Sequence, residues 1–133
     1  MARVRRRLAC ERGDALIEGL FAFALILLVV GVAAQALAYA HARSVAAAAA
    51  QDGARAAAAT GPEAGIARAS AILAAAGGTG ENLRASASED GDEVTVSVEG
   101  EAPRLFSLPL LLPAVRESAS LPLERYPTAE AAP

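Results

Sequence analysis

A chain of 133 residues has room for one small domain, and although 54% of it is hydrophobic, much of that share is alanine, which buries little area per residue. One histidine, one cysteine and no lysine leave the usual general bases and nucleophiles nearly missing, so composition argues against an enzyme. The net charge of −3 hides an asymmetry: residues 1–13 carry five arginines against Glu11 alone, whereas beyond Arg43 six arginines face twelve acids, a body unsuited to nucleic-acid phosphates.

The basic leader, residues 1–13, holds Arg3, Arg5, Arg6, Arg7 and Arg12. Its Cys10 has no second cysteine to pair with, and the apolar run follows it rather than preceding it, which excludes a lipoprotein attachment site. Next, Leu20–Ala34 contains no polar side chain, and the run continues past Gln35 to Ala40. The 22 residues from Gly19 to Ala40 would rise roughly 33 Å as a helix, enough to cross a hydrocarbon core of about 30 Å. Tyr39, His41 and Arg43 then mark the far interface, and the basic leader orients the span with its N-terminus inside. Membrane lipid is therefore the first expected partner.

Alanine dominates "ARSVAAAAAQDGARAAAAT", residues 42–60, and no strong breaker intervenes before Gly61-Pro62. The membrane helix is thus expected to run on outside the bilayer, making residues 14–60 one helix of roughly 70 Å with Gly13 or Asp14 as its N-cap. Its small-residue face suits close packing in a helix bundle. A second, short helix starts at Pro62 with Glu63 in its first turn, stops at Gly77-Gly78, and carries Ile66, Ala69, Ile72 or Leu73, and Ala76 on one face.

The period then changes from helical to alternating. Leu83, Ala85 and Ala87 are followed by Asp90-Gly91 and by Val94, Val96 and Val98, the pattern of a β-hairpin with Thr95, Ser97 and Glu99 on its polar face. The acids Glu89, Asp90, Asp92 and Glu93 lack the alternation and terminal bidentate Glu of a calcium loop, so they read as a solvated turn. His41 has no ligand-spaced companion, and neither a phosphate loop nor a metal cluster is present; no cofactor and no metal are expected. Six of the seven prolines fall in residues 103–133, limiting that stretch to an apolar connection, Leu105–Leu112, and a third strand, Val115–Leu121. Leu105–Val115 is too short and too proline-broken to cross a membrane again. Residues 61–126 thus form a small extracytoplasmic domain and 127–133 a tail. The fold class is α+β: a long N-terminal transmembrane helix extending outside the membrane, a short second helix, then a small three-stranded antiparallel β region.

Within the apolar run Glu18 stands out, because a carboxylate near the bilayer centre costs about 2.5–3.5 kcal/mol and intramembrane acids call for a cationic partner. "RRRLACERGDALIEGLFAF" resembles the class III signal of type IV pilins and pseudopilins, a basic leader ending in glycine and then a helix with Glu at its fifth residue. Counted from Gly13, Asp14 is the first such residue and Glu18 the fifth. The chain looks most like TadE-like proteins of the tight-adherence (Flp) pilus system, whose "RG-x-x-x-[IV]-E" start is matched by Arg12, Gly13, Ile17 and Glu18, with Gly19 where the family often has Phe.

The resemblance implies a non-enzymatic minor pilin or pseudopilin of the cell membrane that assists assembly of a pilus or related secretion apparatus. It implies processing by a prepilin peptidase between Gly13 and Asp14, and alignment of neighbouring pilin or pseudopilin subunits through Glu18 and the N-terminal helix. The contrasting expectation is an ordinary signal or anchor. In that case the chain displays a small binding domain, either uncleaved and bitopic or secreted after cleavage near Ala36-Leu37-Ala38 or Ala38-Tyr39-Ala40.

Overall fold

The computed structural model describes residues 2–106 and 112–123, with side chains from residue 15 onward. Its elements are α1 (Ala2–Thr60), α2 (Pro62–Ala75), a single 3-10 turn (Gly77–Thr79), and three strands, β1 (Leu83–Asp90), β2 (Glu93–Gly100) and β3 (Val115–Pro122). The α+β class expected from periodicity is therefore the observed one. Most of the apolar connection and the tail 127–133 lie outside the described residues.

Two compact units divide the chain, residues 1–36 and 37–133, and the division falls inside α1. The first unit is helix alone. It begins at Ala2 rather than at a cap on Gly13 or Asp14, because "RVRRRLACER" is made of good helix formers and a single Gly13 costs a helix only about 1 kcal/mol. Glu18 consequently sits about four turns into α1 and not beside its N-terminal dipole, which acts only within the first turn.

In the second unit the remainder of α1 and α2 pack with a sheet of order β1-β2-β3, antiparallel throughout. β1 and β2 pair from Leu83↔Gly100 to Asp90↔Glu93, so the hairpin turn is Gly91-Asp92, one residue later than expected. Gly91 has φ +62°, the left-handed value that a tight turn with glycine first requires. Alternation puts Val94, Val96 and Val98 on the buried face together with Val115, and these four are the largest fully buried side chains among the described residues. Facing them is an alanine stripe on α1, Ala42, Ala46, Ala49, Ala50, Ala54 and Ala57, all 1% exposed or less.

That stripe is the small-residue face expected to suit close helix packing. In the structure it is consumed inside the unit, where short side chains let α1 lie close to the sheet. Contact is tightest at two glycines. A Cβ on Gly53 would come within 3.0 Å of the Gly65 carbonyl oxygen and of Val96, and one on Gly65 within 2.6 Å of Ala57 Cβ and 2.8 Å of the Gly53 oxygen. Helices α1 and α2 thus cross glycine on glycine above Val96. For the same reason the buried stripe of α2 is Gly65, Ala69 and Leu73, with Ile66 and Ile72 turned to its half-exposed margin instead of forming the centre of the face.

Polar contacts tie the layers at their edges. Asp52 accepts from Arg55 at 2.6 Å and from Arg68 of α2 at 3.4 Å. Glu117 lies on the helix-facing side of β3, between Val115 and Ala119, and accepts from Arg43 Nε of α1 at 2.5 Å. On the opposite, solvent face Thr95 and Ser120 share a 2.7 Å hydrogen bond between neighbouring strands.

Candidate functional site

The apolar half of α1 is a helix long and apolar enough to cross a membrane, and only 6% of its most apolar window is buried within the chain. A core helix of a water-soluble domain would bury most of that surface. Here Leu20, Phe21, Phe23, Leu25, Ile26, Leu27 and Leu28 are all more than half exposed, on every side of the helix. A helix apolar all round and uncovered needs an apolar surrounding, either lipid or other helices. The structure is therefore compatible with a single membrane span or signal anchor near the N-terminus.

Glu18 lies at the near end of this surface. It is exposed, flanked by Leu16 and Ile17 (76% and 57% exposed) and by Leu20 and Phe21 (69% and 73%). A Cβ on Gly19 would meet nothing within 4 Å, so this glycine answers no close approach inside the chain. Gly13 and Asp14 both lie within the continuous helix, with residue 14 one turn before Glu18. The peptide bond between them is thus helical in the intact chain, while the side chain of Asp14 is outside the described residues. The three residues singled out by sequence share one short stretch of helix, and no described cation meets Glu18 within salt-bridge distance.

Sequence reasoning passed over Gln35 as an interruption of the apolar run. It is 4% exposed, and none of the buried polar side-chain atoms among the described residues lacks a hydrogen-bond partner. An amide at that depth is costly unless satisfied, which a burial profile can show and a hydropathy profile cannot.

Among the described residues, the second unit carries shallow open grooves. One runs between the end of α2 and β1, lined by Ser70, Leu73, Gly80, Glu81, Leu83 and Arg84. Another lies at the Gly100 end of the sheet, with Arg84, Ser86, Glu99, Glu101 and Arg116. Neither converges buried polar groups on a point. Among the described residues no three His, Cys, Asp or Glu side chains come together as a metal site. Among the described residues one titration is displaced: the hydrogen bond and charge of Glu117 raise the Arg43 guanidinium above its already high ordinary value. That group stays charged across all accessible pH, because stability carried by a raised basic pKa is lost only as pH climbs through the raised value.

The chain matches no protein-family model, no curated protein and no solved structure.

Proposed function

We propose that the protein is a non-enzymatic minor pilin or pseudopilin, similar to the TadE-like proteins, which is anchored in the cell membrane by α1 and assists assembly of a tight-adherence type pilus or related secretion apparatus. The observation that carries the reading is the combination of Glu18 with an exposed apolar helix: an acid set five residues beyond Gly13 at the start of a surface whose large side chains, from Leu20 to Val30, stay more than half exposed among the described residues. The N-terminus lies in the cytoplasm, since five arginines precede the span, and the acidic unit lies outside. A peptidase of the prepilin class cuts between Gly13 and Asp14.

Cleavage there changes the physics of Glu18. Removing residues 1–13 brings Glu18 from about the fifth turn of α1 to its first or second, and leaves a free amine on Asp14. The amine of one subunit and the Glu18 carboxylate of the next are each costly to bury alone, and together each lowers the other's penalty. Such a pair sets the axial register of neighbouring helices. Cutting requires the helix to open locally at Gly13, the residue in that turn with the lowest helix propensity.

A second reading is favoured by one observation, the boundary of the compact unit at Leu37. Cleavage at Ala38 or Ala40 would release that unit as a secreted domain. The intact mass of protein extracted from native membranes separates the two. Loss of residues 1–13 is the expected result, and a mature N-terminus near Tyr39 or His41 would sink the pilin reading in favour of the secreted one.

A further inference from the structure

The two ends of the sheet differ in charge and in apolar exposure. Gly53 of α1 lies over Val96 of β2, and Arg43 reaches Glu117, the partner of Val98. Ten residues back along α1 from Gly53 is about 15 Å, and four residues forward along β2 from Val96 is about 13 Å. The Gly100 end of the sheet is thus level with about residue 43, at the end of the unit where α1 enters it. The Gly91 turn lies at the other end, roughly 23 Å away along β2.

At the Gly100 end the chain leaves the sheet through Glu101–Phe106, and Leu105 and Phe106 are 52% and 47% exposed. Among the described residues they are the large hydrophobic ones of the second unit, apart from Leu37, that stand well out into solvent. The same end holds Arg43, Arg84, Arg104 and Arg116, with Glu81, Glu99, Glu101 and Glu117 around them, so its charges balance. The opposite end carries Glu89, Asp90, Asp92 and Glu93, and no arginine among the described residues.

Resting on the membrane-anchored reading above, we infer that Leu105 and Phe106 form a second membrane contact, dipping into the interface of an anionic bilayer and holding the second unit with its Gly91 turn pointing away. Covalent continuity brings this end of the unit next to the bilayer, because α1 leaves the apolar run near Ala40 and Arg43 is already level with Gly100. Two exposed apolar side chains at the surface gain by entering the headgroup region, and arginines beside them meet lipid phosphates. The four-acid turn is repelled by the same surface. Orientation therefore follows from repulsion of the acidic turn, and contact from the apolar pair.

The test uses the full chain in a Cys10→Ser background, reconstituted in phosphatidylcholine vesicles with a minority of phosphatidylglycerol. An environment-sensitive fluorophore is placed by Glu101→Cys, by Asp90→Cys or by Leu28→Cys, and quenching is read with lipids carrying a nitroxide near the headgroup for positions 101 and 90 and deep in the acyl chain for position 28. Quenching at 101 should exceed that at 90 by about twofold or more, as expected when the neighbouring side chains lie about 5–10 Å into the headgroup and acyl boundary. Adding Leu105→Ser and Phe106→Ser should bring the 101 signal down to the level at 90, with an unchanged circular-dichroism melt showing that the unit remains folded. Equal quenching at 101 and 90, beside a quenched Leu28 label, overturns the contact while leaving the anchor intact. A 101 signal that ignores the two serines also overturns it, as does a 101 label that is shielded only at high protein density, which would assign the surface to a second copy. An unquenched Leu28 label overturns the anchor itself and the contact with it.

Discussion

One helix serves two units by opposite means. Between Leu16 and Val30 the large apolar residues of α1 are more than half exposed, whereas between Ala42 and Ala57 the face turned to the sheet is made of small residues that are almost wholly buried. Large side chains maximise area for a surrounding that must come from outside the chain, and small ones minimise the separation from a sheet that the chain itself supplies. Hydrophobicity averaged along the helix hides this difference. Side-chain size reveals it, because an alanine face yields little transfer energy and is useful mainly where backbones must approach.

The sharpest way to break the second unit is at the glycine crossing. Gly65→Val places carbon where Ala57, the Gly53 carbonyl and Val96 already lie, and should cost about 3 kcal/mol or more by urea denaturation of the full chain in detergent. The contrasting substitution Gly78→Ala meets nothing within 4 Å and should be neutral or stabilise by less than about 1 kcal/mol.

Breaking the first unit requires charge rather than bulk. Leu27→Arg should weaken membrane partitioning by about 2.5–3.5 kcal/mol, read by flotation, and should leave the urea midpoint of the second unit unmoved. A shift in that midpoint would show that the two units are not energetically separable. Within the sheet, Val96→Ala removes two methyl groups' worth of buried surface beneath the crossing and should cost about 2 kcal/mol in the same denaturation.

Glu18→Ala sharpens the comparison from the functional side. Membrane insertion should be unchanged or slightly improved, since an acid is removed from an apolar helix, while the proposed pilin role requires recovery of assembled pilus or secretion complexes to fall. Normal assembly with normal insertion would reduce α1 to a plain anchor. The smallest expected effect is Arg43→Ala, a solvent-exposed ion pair with Glu117 whose loss should move the denaturation midpoint slightly, and less still as salt is raised.

Much of this was legible before any tertiary structure. Pro62 and the paired glycines near 77 bound the second helix, and the alternation of Val94, Val96 and Val98 places a hairpin strand to within a residue or two. Local steric preference and the periods 3.6 and 2 are properties of neighbouring residues, so a linear reading captures them. Gly53 was harder, since a lone glycine in a helix looks like a tolerated defect until the element it touches is known. Glu117 reads as one more surface acid in "VRESASLP", yet the pleat turns it toward α1, where Arg43 waits 74 positions away.

The sequence by itself therefore determined the order of elements, the uncovered apolar run and the placing of an acid within it, because each is a matter of composition and spacing along a few turns. Only the tertiary structure decided that the alanine face is used up within the chain, that α1 and α2 meet on Gly53 and Gly65, and that Leu105 and Phe106 share an end of the unit with Arg43. Those outcomes depend on which backbones come within about 3 Å of one another, and distance across the fold has no local signature in the chain.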